Sequence, residues 1–399
     1  MEKFIRYFSK YVFPSDPILG KLGSIDLNLN ILQWSGLPLF GSKSEIKRSL
    51  FIYGILFSVF IRIPYHTFEI YDLITCWRNF NDMIQNVCMS FLHLGMCLKM
   101  IMIYGRLEDF YKIINQLRIL TRKYVKSDKQ KEVFSWMEFE SKISITIYAF
   151  IPAITSVFGF ILTIRNPSGV VGHILPYRAK MPDFTPFNLQ LFYIPISNAM
   201  IGFQIVGIDY LNVAFMNLTR CQLRMLNISF DELNEEKVGR VTVDPLTHLK
   251  KLIEHHTYIL EIRNQIESIF KFPMLVQFFG SLLVIALTGF QALNQSDTSG
   301  LVMVYMYVGC IMAELLVYCW FGTQISEQNE SLALQGYNTS WYNFDVKYRK
   351  SLVIFLMNAQ KPFCFTAGGY LKLSLMTFNR VVSKAFSIMA VLRQQYSDG

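Results

Sequence analysis

Three histidines and one glutamate, His248, Glu254, His255 and His256, form a group that could bind a metal ion. Glu254 directly precedes His255 and His256, and His248 lies one heptad before His255. Imidazole nitrogens and carboxylate oxygens are zinc ligands, but no cysteine or carboxylate completes a tetrahedral set at this position. We therefore interpret the group as the solvated face of a charged helix, and we predict no metal site.

Two carboxylates, Asp209 and Glu314, lie inside long apolar stretches. An ionised side chain is costly in the hydrocarbon region of a membrane, so such a residue either serves the function or bonds a polar neighbour inside the protein. We favour the structural role for both. The sequence contains no nucleotide-binding loop, nucleophile elbow or zinc-protease motif, so we predict no catalytic residue, no cofactor and no enzymatic activity.

The composition indicates a membrane protein. Hydrophobic residues make up 52% of the 399 residues and charged residues 17%, whereas soluble domains have about 25% charged residues. The apolar residues concentrate in blocks about as long as the roughly 20 residues that cross a bilayer as a helix. The sequence therefore predicts an all-α membrane protein with seven transmembrane helices, the last of them broken at Gln360-Lys361-Pro362. The blocks lie at 46–68, 83–104, 143–164, 187–216, 272–293 and 301–322, and the seventh consists of 351–357 and 371–392.

The net charge of +9 is concentrated in particular loops. Segment 105–142 contains nine Lys and Arg residues and segment 218–271 contains eight, whereas 69–82 contains only Arg78 and 291–300 contains none. Loops rich in Lys and Arg stay on the cytoplasmic side of a membrane. We therefore predict a cytoplasmic N-terminus and, after seven crossings, an extracellular C-terminus, which is opposite to a G-protein-coupled receptor.

Two of the cytoplasmic segments are predicted to continue the membrane helices. Asp244 and Pro245 are typical of a helix start, a capping carboxylate followed by proline in the first turn. Asp345 is predicted to cap the helix that leads into span seven. Apolar residues recur at close to helical spacing in both extensions, so each has one apolar face that must be covered. These residues are Leu218, Leu223, Leu226 and Phe230 after span four, and Leu246, Leu249, Leu252, Ile253, Ile259, Leu260, Ile266 and Ile269 after Pro245.

The last helix is too polar to be surrounded by lipid. Thr377, Arg380, Lys384, Ser387 and Val391 step by three or four residues and therefore share one side of the helix. One polar-sided helix per subunit is what a symmetric pore requires. The same residues could instead bond across helices within a single bundle, and the residues alone leave both interpretations open.

The C-terminal sequence resembles the signature of insect odorant receptors. Gln360-Lys361-Pro362-Phe363-Cys364-Phe365-Thr366-Ala367-Gly368 is followed by Leu373-Ser374-Leu375-Met376-Thr377-Phe378, and the Lys-Pro, Thr-Ala-Gly and Ser-Leu-x-Thr-Phe elements of the family occur at matching spacing. The chain departs from the family after Lys384, where it lacks the usual tyrosines. It also lacks the long insertion that the co-receptor carries between spans four and five, so it resembles an odorant-tuned subunit.

The resemblance implies a subunit of an odorant-gated, non-selective cation channel that assembles as a heterotetramer with the co-receptor. It implies a location in the plasma membrane of the sensory neuron dendrite, and a pore lined by the last helices, with Lys384, Ser387 and Val391 as pore residues. The alternatives are a metabotropic heptahelical receptor and a gustatory-type homomeric channel. The implied regions are a cytoplasmic segment (1–45), spans one to four with the ligand site (46–217), cytoplasmic helical extensions (218–271), spans five and six (272–322), a cytoplasmic segment with the first part of helix seven (323–365), and the pore helix with an extracellular C-terminus (366–399).

The resemblance also places the ligand among the extracellular halves of spans two, three, four and six. An apolar, aromatic-rich lining with scattered hydroxyl groups favours a small, uncharged, volatile molecule, and an aromatic one is plausible. Pro152 and Pro195 lie within spans three and four, where proline permits a kink beside a cavity. The predicted ligand-binding residues are Phe91, Ile151, Thr155, Phe158, Tyr193, Ser197, Met200, Ile201, Tyr305 and Met306.

Overall fold

The computed structural model describes residues 22–37, 48–78, 80–165, 180–181, 184–235, 244–294 and 298–397. Most of the N-terminal segment that we assigned to 1–45 lies outside these ranges. The predicted all-α architecture is confirmed, apart from one two-stranded hairpin. The elements are α1 (Gly23–Trp34), α2 (Arg48–Phe57), a π-helical segment (Ser58–Arg62), α3 (Ile63–Cys76), α4 (Phe80–Tyr104), α5 (Leu107–Tyr124), α6 (Asp128–Arg165), α7 (Phe187–Glu235), α8 (Pro245–Asn294), α9 (Thr298–Tyr337), a 3-10 turn (Trp341–Asn343), α10 (Val346–Ala359), β1 (Thr366–Ala367), β2 (Leu371–Lys372) and α11 (Leu375–Ser397).

Six of the described helices are long and apolar enough to cross a membrane. They correspond to predicted spans two to six and to the second piece of span seven. The block predicted as span one falls on α2, the π-helical segment and α3, which follow one another without an intervening loop. The six apolar helices include Asp82–Tyr104, Asp128–Ile161, Phe187–Leu233, Pro245–Leu293, Gly300–Asn343 and Leu375–Gln395.

The helices α7 and α8 extend well beyond the thickness of a bilayer, as predicted. They contain 49 and 50 residues, and at about 1.5 Å per residue each is about 75 Å long, against about 30 Å of hydrocarbon. The predicted start of α8 is confirmed, because the Thr247 backbone N–H donates to the Asp244 carboxylate at 3.0 Å. Hydrogen bonds from Thr247 also hold the pKa of Asp244 below its usual value. The predicted Asp345 cap is confirmed by a 2.9 Å bond from the Tyr348 N–H.

The core is centred on α7, which packs against α1, α6, α8 and α9. Phe215 is fully buried in the middle of α7, and its ring lies 5.2 Å from the Phe110 ring of α5 and 5.7 Å from the Phe270 ring of α8. The apolar faces predicted for both helical extensions are buried or partly buried in this same core. Burial of a phenylalanine side chain contributes about 1.5–3 kcal/mol, so these extensions are packed elements and not solvated stalks.

The interpretation of His255 and His256 as a solvated face was wrong. Both side chains are buried, because α5 and α10 cover this part of α8. The His255 ring stacks on Tyr124 at 3.8 Å, and its Nε2 lies 3.0 Å from Gln222 Oε1. The His256 ring meets the Phe355 ring edge-on at 5.3 Å. The two histidines therefore join three helices to α8.

The predicted break in the last helix is confirmed, and the hairpin fills it. Gly368 and Gly369 turn the chain with φ values of +68° and +87°, a region that glycine adopts without strain. The Gly368 N–H donates to the Lys271 carbonyl of α8 at 2.7 Å. At the start of α11 the Leu375 N–H donates to Thr323 of α9 at 3.0 Å, and Ser374 Oγ accepts from the Thr377 N–H at 3.3 Å. The hairpin thereby fixes the origin of α11 to α8 and α9.

Candidate ligand cavity

A cavity of about 120 Å³ lies between α4, α6, α7 and α9, and one residue of α8 also reaches it. Each helix contributes residues spaced mainly by three or four positions, which is one helical face. The lining residues are Met89, Leu92, His93, Met96 and Lys99 of α4, Tyr148, Ile151, Pro152 and Thr155 of α6, Asn198, Gly202, Ile205, Val206, Ile208 and Asp209 of α7, Gln277 of α8, and Met303, Tyr307, Cys310, Ile311 and Glu314 of α9.

Most of the residues that line the cavity are apolar, and methionine and isoleucine are the commonest types among them. A dry, apolar cavity of about 150 Å³ in another protein holds a benzene molecule, so this cavity has room for a ring of about that size. Apolar walls with a few convergent polar groups are typical of small-molecule sites.

Charged residues form one end of the cavity, which we call the charged floor and define as Lys99, Asp209 and Glu314. Lys99 Nζ donates to Asp209 Oδ1 at 2.6 Å and lies 4.0 Å from Glu314 Oε1. Lys99 also bonds the amide oxygen of Gln277. All three charged side chains are buried. Glu314 therefore faces the interior of the bundle, as predicted, and Asp209 has the polar partner that a structural role requires.

A second buried polar cluster lies beside the cavity. The carboxylate of Glu69 lies 3.2 Å from His66 Nδ1 and 2.9 Å from His93 Nδ1. The three residues bring potential metal-ligating atoms within 4.8 Å of one another. The sequence analysis did not identify this group because its members lie on α3 and α4, 24 positions apart. The Glu69 carboxylate accepts hydrogen bonds from both rings, so the group is a hydrogen-bonded cluster that holds α3 against α4.

Two of the predicted ligand residues, Ile151 and Thr155, line the cavity, and both come from one turn of α6. The other predicted residues lie outside its lining. Tyr193 donates to the carbonyls of Phe60 and Ile61 at 3.0 and 3.1 Å, and Tyr305 is 65% exposed. Outside the lining are Phe91, whose ring lies 6.4 Å from the Phe279 ring, the buried Ser197 and Ile201, and the partly buried Phe158, Met200 and Met306.

The contact between α6 and α7 sets the width of the cavity. A Cβ atom on Gly202 would lie 2.6 Å from Pro152 Cβ, so Gly202→Ala must push the two helices apart or push Pro152 into the cavity. We expect Gly202→Ala to lower the free energy of unfolding by about 1–2 kcal/mol and to weaken ligand binding. The matched control is Gly95→Ala, whose Cβ would meet Val276 at 3.6 Å, an ordinary contact. The midpoint of thermal unfolding in detergent is measured for both variants. Equal midpoints for Gly202→Ala and Gly95→Ala would contradict the prediction.

The predicted pore residues lie on the outer surface of the subunit. Lys384 and Ser387 are exposed, and Val391 is 57% exposed. Thr377 departs from the predicted stripe, because it is buried and its hydroxyl donates to the Lys372 carbonyl at 2.7 Å. The opposite face of α11 packs inward through Val381 and the fully buried Ala385. In the most apolar 18-residue stretch of α11, only 11% is buried.

A family model described as 7tm Odorant receptor matches residues 79–386. The chain belongs to the insect odorant receptor family. Members of this family are receptors and not enzymes, and the six long apolar helices agree with a multi-pass membrane protein. Odorant receptor 22b of Drosophila melanogaster is 27% identical over 179 residues, which cover 45% of each chain. Odorant receptor 85b of the same organism is 25% identical over 236 residues, covering 57% of this chain and 59% of that protein. The match thus spans about half the length of these relatives.

Solved structures of odorant receptors share the fold. The insect olfactory receptor OR5 from Machilis hrabei superimposes with a TM-score of 0.74 at 17% identity, covering 92% of this chain and 97% of that chain. The same receptor in complex with eugenol gives a TM-score of 0.71 at 17% identity, covering 93% and 97%. At this identity the likeness establishes the fold of the odorant receptor and not its ligand.

The family signature coincides with the hairpin that anchors α11. Thr366 and Ala367 form β1, Gly368 begins the turn, and Thr366 bonds Glu267 of α8. Two of the three residues of the charged floor, Asp209 and Glu314, stood out in the sequence as carboxylates within apolar stretches, but Lys99 was missed. A lysine inside the apolar stretch of α4 is the signal that could have identified it.

Proposed function

We propose that this odorant receptor is the odorant-tuned subunit of a ligand-gated, non-selective cation channel, assembled as a heterotetramer with the co-receptor. The observation that carries the proposal is the exposed face of α11. Arg380, Lys384 and Ser387 are exposed on a helix that is apolar enough to cross a membrane. Polar and charged side chains are expensive against lipid, so this face requires water or neighbouring subunits, which a central pore supplies.

The orientation in this proposal has the N-terminus in the cytoplasm and the C-terminus outside. Its support is the charge of the connecting segments, nine Lys and Arg in 105–142 and eight in 218–271 against one in 69–82 and none in 291–300. In this orientation Ser387 and Val391 lie toward the extracellular end of the pore, and Lys384 lies one turn deeper. We place the receptor in the plasma membrane of a sensory neuron dendrite.

The proposed ligand site is the cavity lined by α4, α6, α7 and α9. Its apolar walls favour a small volatile molecule. Its volume of about 120 Å³ is of the same order as the cavity of about 150 Å³ that holds benzene in another protein, so it suits a ligand with a single ring. Burial of about 200–300 Å² of ligand surface at about 25 cal/mol/Å² gives roughly 5–7 kcal/mol before the costs of association. We therefore expect affinities in the micromolar range or weaker.

Whole-cell recording tests this function. The full-length chain is expressed alone and together with the co-receptor, and a panel of small volatiles is applied; cells that express only the co-receptor are the control. We expect an odorant-evoked cation current only when both chains are present. An odorant-evoked current from this chain alone would contradict the heteromer, and a response that requires G proteins and has no conductance would contradict the channel.

A further inference from the structure

Some polar atoms that line the cavity have hydrogen-bond partners and others have none. The Lys99 ammonium bonds Asp209 Oδ1, and the Tyr307 hydroxyl lies 3.4 Å from the Cys88 carbonyl oxygen, to which it donates. Among the described lining residues, the buried side-chain atoms that have no hydrogen-bond partner are Asp209 Oδ2 and Glu314 Oε1. Both are carboxyl oxygens. The Lys99 and Tyr307 donors are therefore engaged, while two carboxyl oxygens among these lining residues have no hydrogen-bond partner.

The charged groups of the floor are also unequal in number. Lys99 supplies one positive charge, while Asp209 and Glu314 supply two carboxyl groups, and all three are buried. Lys99 Nζ bonds Asp209 at 2.6 Å but stays 4.0 Å from Glu314 Oε1. A buried polar group without a partner is costly, and an ionised one is more costly still. A ligand that donates a hydrogen bond at this end of the cavity removes that cost.

The apolar part of the cavity determines the chemistry of the part of the ligand that does not contact the charged floor. Met89, Met96, Ile151, Ile205 and Met303 lie among the lining residues, and such side chains provide no hydrogen bonds of ordinary strength. An apolar group of about the size of a benzene ring fills this part. The two ends of the cavity therefore differ in chemistry, and a bound molecule must match both ends.

We infer that the cavity binds a small molecule with an apolar body and one hydrogen-bond-donating head, a hydroxyl or an amine, which donates to Glu314 and Asp209. This inference rests on the proposed role of the cavity as the odorant site. It narrows the ligand class from any small volatile to alcohols, phenols and amines. Bonds to charged groups are stronger than neutral ones, so the head group decides selectivity and the body supplies most of the buried surface.

The test compares three molecules of nearly the same shape: benzyl alcohol, benzylamine and ethylbenzene. The full-length chain is solubilised in detergent, and the concentration of each compound that half-maximally raises the unfolding temperature is measured. We expect the alcohol or the amine to act at a concentration about tenfold or more below that of ethylbenzene, in line with one hydrogen bond to a charged group.

Two variants assign the effect to Glu314. Glu314→Gln keeps the shape but removes the ionisable carboxyl and replaces one of its two oxygens by an NH2 group, which donates. The preference for the donor head should therefore fall at least threefold. Glu327→Gln is the matched control, because Glu327 is exposed on the same helix, and the preference should be unchanged. The comparison of the three compounds on the unsubstituted chain needs no variant to fold.

Several results would overturn the inference. Glu314 lies beside Asp209 and Tyr148, and a proton shared between the two carboxyls would satisfy both without a ligand; the three compounds would then act at equal concentrations. No stabilisation by any of them, or an unchanged preference in Glu314→Gln, would also refute it. The proposed function is tested separately by odorant-evoked current, which survives a failure of this inference if the receptor responds to purely apolar volatiles.

Discussion

Replacing Lys99 by methionine should lower the free energy of unfolding by about 3–5 kcal/mol. Methionine has nearly the length of lysine and fills the same space, but it leaves the buried Asp209 carboxylate without the ammonium that lies 2.6 Å away. Removing one partner of a buried ion pair leaves an uncompensated charge, which costs about this amount. The measurement is the midpoint of thermal unfolding of the full-length receptor in detergent, and size-exclusion chromatography monitors the loss of folded protein.

Lys123→Met is the matched control for this substitution. Lys123 forms an ion pair with Glu254 at 2.9 Å, but both side chains are nearly half exposed. Exposed ion pairs contribute little because water screens them, so the unfolding midpoint of Lys123→Met should stay close to that of the unsubstituted receptor. Equal losses in the two variants would show that burial does not distinguish the pairs and would contradict the assignment of Lys99 to the core.

Gly322→Ala should destabilise the receptor by about 3 kcal/mol and abolish odorant-evoked current. A Cβ at Gly322 would overlap the carbonyl oxygen of Leu373, which belongs to the backbone between the hairpin and α11. Alanine has a higher intrinsic helix propensity than glycine, which by itself would stabilise the helix by about 1 kcal/mol. Overpacking against a backbone atom costs more than that, so the hairpin must move and α11 loses its anchor on α9.

Gly309→Ala separates the effect of helix propensity from the effect of overpacking. Gly309 lies on the same helix, and a Cβ there would meet nothing within 4 Å. Only helix propensity then acts, and the variant should be as stable as the unsubstituted receptor or more stable by up to about 1 kcal/mol. Unfolding midpoints and current amplitudes of the two alanine variants, at equal surface expression, give the comparison. Stabilisation by Gly322→Ala would contradict the close packing of the hairpin.

The sequence predicted the features that depend on neighbouring residues. Apolar blocks located the long helices because hydrocarbon thickness fixes their minimum length. The caps at Asp244 and Asp345 and the break near Pro362 were also predicted, because capping and proline act within a few residues. The hairpin was not predicted, since strands of two residues have no periodicity to detect.

The features that the sequence did not predict depend on partners far apart in the chain. His255 is buried because Tyr124 and Gln222 cover it from two other helices. Lys99 is tolerated in an apolar helix because Asp209, 110 positions later, pairs with it. The predicted ligand residues Tyr193 and Tyr305 lie outside the lining of the cavity, because a span shows which residues are apolar or aromatic but not how the helix is rotated in the bundle.

Modification of a cysteine at position 387 tests most directly that α11 lines the pore of an odorant-gated channel. Ser387 is exposed on α11, whereas Ala385 two residues earlier is fully buried. Channels with Ser387→Cys or Ala385→Cys are expressed with the co-receptor, and a cationic methanethiosulfonate reagent is applied during an odorant-evoked current. The proposed pore predicts that the Ser387→Cys current falls by at least half, while the Ala385→Cys current does not change. An unchanged Ser387→Cys current, at normal amplitude and surface expression, would contradict it.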